Sequence, residues 1–79
     1  MDRDDLDRAL LKAHEDNDHA ELVRLYTLAG DRAEEAGDID AACFFLTHAF
    51  VFALEAGLPD AKELNRRLAE RGRAHPLEL

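Results

Sequence analysis

Apolar residues recur at helical spacing in four stretches of the chain, separated by short breaks rich in Asp, Asn and Gly. In the first stretch Leu6, Ala9, Leu10 and Ala13 share a face, and Asp4 ahead of them serves as an N-cap. The break EDND, residues 15–18, ends this helix because short polar side chains compete with helical backbone hydrogen bonds. Asp18 then caps a second helix, and Glu21 three residues on completes a capping-box pattern. Leu22, Leu25, Tyr26, Ala29 and Ala33 form its stripe, and Gly37 supplies the left-handed turn that closes it. Asp38 caps a third helix that runs to Gly57. Pro59 opens the first turn of a fourth, which carries Ala61, Leu64 and Leu68 and ends at Gly72 and Pro76.

No stretch alternates with period two, so no strand is expected. The pattern predicts an all-α fold of four antiparallel helices at about 4–16, 19–36, 39–56 and 59–72, joined by short connections. Residues 1–79 form one small helical domain.

The third helix breaks the pattern of the others. From Ala41 to Leu54 no residue carries a full charge at neutral pH, and only Thr47 and His48 are polar, in a chain that is 35% charged. On a helical wheel Ala42, Phe45, Leu46, Ala49, Phe52 and Ala53 cluster as core, while Asp40, Phe44, Thr47, His48, Val51 and Glu55 lie opposite. A helix apolar on more than one side is buried on more than one side, so this one is predicted to be sandwiched. Phe44 and Val51, one heptad apart on the outer face, mark an interface with His48 at its centre and Glu55 at its rim; Leu54 and Phe50 are the nearest residues to join it.

Tyr26, Gly30 four residues on, the AGD turn at 36–38, Ala42 and Ala49 together resemble a tetratricopeptide repeat over about residues 23–56. The resemblance implies close helix–helix contact among Tyr26, Gly30, Ala42 and Ala49, and protein–protein interaction as the function. Glycine inside a helix costs about 1 kcal/mol against alanine, which such contact would offset. Ala29 and Ala33 depart from the large residues usual in the family, and the third helix runs on so that Pro59 comes late. DLDRALLKAHED, residues 5–16, has no equivalent 34 residues later, so one repeat-like hairpin at 19–56 is flanked by the first helix and by a covering helix at 59–72.

Composition narrows the chemistry. A single cysteine excludes an internal disulfide, and Cys43 inside the apolar run reads as a small buried hydrophobe. The acidic opening MDRDDLDRAL does not read as a signal peptide, and the apolar run is shorter than the about 20 residues a bilayer requires. A cytoplasmic protein without a membrane partner is therefore expected; arginine outnumbers lysine eight to two, a bias suggesting a bacterial source.

Glu15 and Asp16 at helical spacing from His19, with His14 nearby, form half of a di-iron-type motif, a remote metal-binding or catalytic alternative. Their position at a helix junction favours capping and solvation instead. His48 has the chemistry of a pH switch but reads first as a hydrogen-bonded histidine at the edge of a core. His14 and His75 have no evident partner in sequence. No phosphate loop, nucleophile elbow or zinc pattern is present, and neither enzymatic activity nor a cofactor is expected.

With a net charge of −8 the chain repels phosphate, so nucleic acid is not an expected partner. Arg66, Arg67, Arg71 and Arg73 on the last helix read as a solvated face, or as partners for acids on the first helix or on a neighbouring subunit. The expectation is a non-catalytic interaction module whose partner is itself, as a homodimer, or another protein. The alternative is a closed monomeric bundle that binds a peptide or small ligand in a groove beside Tyr26.

Overall fold

A computed structural model describes residues 2–74, in four helices: α1 (Arg3–Glu15), α2 (His19–Glu35), α3 (Ile39–Ala56) and α4 (Asp60–Glu70). The fold is all-α, with no strand among the described residues. His75 and Pro76 lie outside them.

Local chemistry sets most helix ends. Asp18 Oδ1 accepts the Glu21 N–H at 3.2 Å and Asp38 Oδ1 accepts the Ala41 N–H at 3.1 Å, which satisfies two amides with no partner inside their own helix. In α1 the cap is Asp2, not Asp4: Asp2 Oδ1 accepts the Asp5 N–H at 2.9 Å, and Asp4 and Asp5 fall in the first turn, where the helix dipole favours acids. Pro59 is the N-cap of α4 with no side-chain bond, one position outside the helix it was expected to open.

One repeat is built into these ends. Asn17, Gly37 and Gly57 lie twenty residues apart and all take left-handed φ, at 51°, 78° and 66°. Behind each, the next N–H reaches back to an alanine carbonyl: Asp18 to Ala13 at 3.0 Å, Asp38 to Ala33 at 2.9 Å, Leu58 to Ala53 at 2.9 Å. Ala9, Ala29 and Ala49 share the same register, as do Glu15, Glu35 and Glu55. A helix and its turn therefore take twenty residues and a pair takes forty, six more than the 34 of the tetratricopeptide pattern.

Packing is sequential: α1 rests on α2, α2 most extensively on α3, and α3 on α4. The result is a slab of 32 × 30 × 13 Å and not the closed bundle of the alternative reading. One core joins α2, α3 and α4 around Leu46, Ala49, Ala53 and Leu68; a second joins α1 to α2 around Leu6, Ala13, Leu22 and Leu25. Tyr26 and Phe52, stacked 5.9 Å apart at 13°, pack against both and tie the two together.

α2 and α3 approach closely at Gly30. A Cβ built there would lie 2.8 Å from Cγ and Cδ2 of Leu46 and 3.4 Å from the Ala42 carbonyl oxygen, so glycine is required by space. Ala42 and Ala49 are buried, but Leu46 is the side chain that meets Gly30. Tyr26 turns instead to the rings of Phe52 and His48.

Across α3, α4 is pinned to α2 by charge. Arg67 bonds Asp31 at 2.6 Å and also Glu34, and Arg71 bonds Glu34 at 2.9 Å. Arg73 pairs with Asp40. Arg67 and Arg71 thus meet acids of α2 and Arg73 one of α3, whereas Arg66 pairs with Glu63 and Glu70 on the exposed face of α4, as a solvated face would. None of the four pairs with an acid of α1 among the described residues. Hydrogen bonds from Arg67 and Arg71 hold the Glu34 carboxyl below its ordinary value of 4.5.

At 18 residues α3 is longer than the run counted from sequence and meets the length and composition of a membrane span. In this fold it is the central helix, with Ala42, Cys43, Leu46, Ala49 and Ala53 buried against its neighbours.

Candidate interaction surface

α2 and α4 cover two flanks of α3 and leave a third side bare. Phe44 is 58% exposed and Val51 and Leu54 are each 44% exposed, so three of the four large exposed apolar residues among the described residues lie on one helix. Phe50 does not join them, because it packs half-buried against the α3–α4 core. The fourth, Leu11 at 64% exposure, sits on α1 one residue past the buried stripe. No sequence reading singled it out, although an unabsorbed leucine beside Leu10 was the available signal.

The two polar residues on this side of α3 add little polarity. Thr47 Oγ1 donates to the Cys43 carbonyl at 2.7 Å, and His48 Nδ1 bonds the Phe44 carbonyl at 2.9 Å. A carbonyl only accepts, so His48 Nδ1 carries a proton and Nε2 remains for another partner. The carboxylates at the two ends of the stripe are also engaged: Asp40 pairs with Arg73, and Glu55 lies 3.3 Å from His19 Nε2, an ion pair only when His19 is protonated.

Ring contacts carry the surface inward. Phe44 and His48 lie 4.5 Å apart between ring centroids, and His48 and Tyr26 lie 5.0 Å apart. Tyr26 then meets His14 of α1, with the phenol oxygen 2.9 Å from His14 Nε2. Burial raises the Tyr26 pKa, so the phenol keeps its proton throughout the neutral range. Ring contacts therefore link the exposed stripe of α3 through Tyr26 of α2 to His14 of α1.

The structure does not bring together the residues of the metal alternative. His14 is engaged by Tyr26, His19 by Glu55 and Asp16 by Lys12, while Glu15 is exposed at the end of α1. No three His, Cys, Asp or Glu side chains converge among the described residues. Cys43 is a free, buried thiol within the packing of α3. Comparison with protein-family models, with curated proteins and with solved structures finds no match.

Proposed function

We propose that this chain is a small non-catalytic interaction module that self-associates through the outer face of α3. The observation that carries this reading is the exposure of Phe44, Val51 and Leu54 along one helix in a chain with a net charge of −8. Chains of this charge can expose single apolar residues anywhere, whereas a contiguous stripe marks a contact surface. His48 occupies its centre and Glu55 its rim. Burying one Phe and one Val per chain contributes about 3–6 kcal/mol before the cost of association. Leu54 adds to this, and a symmetric dimer uses the same patch twice.

Phe44→Asp tests the reading by light scattering after size exclusion. The expected result is a shift from a concentration-dependent mass above one chain to a mass of 8.9 kDa, with helicity unchanged because Phe44 lies outside the core. A mass of one chain for the unsubstituted protein at every concentration would remove self-association. The net charges of two copies repel, so association should tighten with added salt, the opposite of a salt-bridged contact.

A further inference from the structure

We propose that the groove framed by α1, α2 and α3 is a docking site for an acidic amphipathic helix of a partner protein. Leu6 and Leu10 of α1 form one wall, Phe45 of α3 the other, and Ala29 of α2 the floor. At Phe45 it continues into the Tyr26 ring, 6.5 Å away.

Charge states what covers it. Six of the eight arginines pair with carboxylates of this chain. The two that make no ion pair among the described residues, Arg3 and Arg32, both line this one groove. The net charge of the chain opposes an acidic ligand, and the groove sets two guanidiniums against the carboxylates of Asp7 and Asp38. What would favour such a ligand is direct bonding to these two guanidiniums, which have no carboxylate partner among the described residues, beside one apolar trough. Guanidinium binds carboxylate through a fork of two parallel hydrogen bonds, which fixes orientation as well as sign.

The groove has two acids of its own. Asp38 is turned to the backbone, its Oδ1 accepting the Ala41 N–H at 3.1 Å, and Asp7 stands exposed at the rim. Small ligands favour enclosed pockets, whereas an open trough with apolar walls suits a helix presenting large apolar residues at i, i+4 and i+7. The carboxylates of that helix would then flank the apolar row and meet Arg3 and Arg32. This docking does not depend on the self-association proposed for α3, which uses Phe44, Val51 and Leu54, none of which lines the groove.

The test is fluorescence anisotropy with two labelled helical peptides of about 16 residues, identical in their leucines at that spacing, one flanked by Glu and the other by Lys. The Glu peptide should bind about tenfold more tightly than the Lys peptide, and about fivefold more weakly at high salt. Arg3→Glu with Arg32→Glu should invert the preference, and the milder Arg3→Gln with Arg32→Gln should abolish it, circular dichroism confirming that both variants remain helical. Asp7→Asn should tighten the Glu peptide by about twofold, because it removes a like charge from the rim. Equal binding of the two peptides, binding of neither up to about 1 mM, or a preference that survives reversal of both arginines would each overturn the proposal. Light scattering on the same variants keeps the two sites apart, since their oligomeric state should match that of the unsubstituted protein.

Discussion

Sequential packing of four helices leaves two long seams, and the chain treats them in opposite ways. The seam between α2 and α4 is bridged by Arg67 and Arg71, which reach Asp31 and Glu34 across the edge of α3. Between α1 and α3 no ion pair is found among the described residues; Leu6, Leu10, Phe45 and two arginines that make no ion pair line the groove there. Opposite charges within one chain close a seam, and unmatched charge beside apolar walls leaves it ready for a ligand. The first seam is held by ion pairs within the chain, and the second, with the bare stripe of α3 beside it, is where recognition is proposed.

The largest expected effect lies in the α2–α3 packing between the two seams. Leu46 is buried and packs against Gly30, so Leu46→Ala should cost about 2–5 kcal/mol in urea unfolding by opening a cavity between α2 and α3. A loss below about 1 kcal/mol would mean that the central pair can collapse onto the gap.

A smaller effect separates the seams. Arg67→Ala removes the arginine that bonds Asp31 and leaves Glu34 with Arg71 alone, and should cost about 1–2 kcal/mol, while Arg32→Glu on the open side should stay within about 0.5 kcal/mol. Acid sharpens the same contrast. The Glu34 carboxyl lies below 4.5 in the folded chain, so its contribution is present above that value and is lost as pH falls through the lower, folded value. In the Arg67→Ala variant that part of the acid sensitivity should shrink, as read from unfolding midpoints between about pH 6 and pH 3. Equal acid sensitivity in the two proteins would mean that the bridge is not what holds α4 to α2.

Much of the fold was written locally. Asp18, Asp38, Gly37 and Gly57 act within one helical turn, so their roles as cap and stop could be read from neighbours alone. The outer stripe of α3 followed from its wheel for the same reason. Arg67 could not be assigned a partner, because Asp31 lies 36 residues away and only the turn of α4 under α2 joins them. The burial of Val23 was missed because α2 packs on both α1 and α3, so a single stripe understates its core. The twenty-residue period is carried by Asn17, Gly37 and Gly57 and does not coincide with the 34-residue spacing of the tetratricopeptide pattern, and the unequal residues Asn and Gly do the same work there through left-handed φ. The groove lined by Arg3 and Arg32 depends on three helices meeting, and no linear pattern encodes which arginines go unpaired.

The most direct test of the interaction surface is an amide chemical-shift map of the protein across a dilution series. The account predicts concentration-dependent shifts gathered at Phe44, His48, Val51, Leu54 and Glu55, with Arg67 and Glu34 unmoved. A spectrum that does not change with concentration, or one whose changes gather on α4, would contradict it.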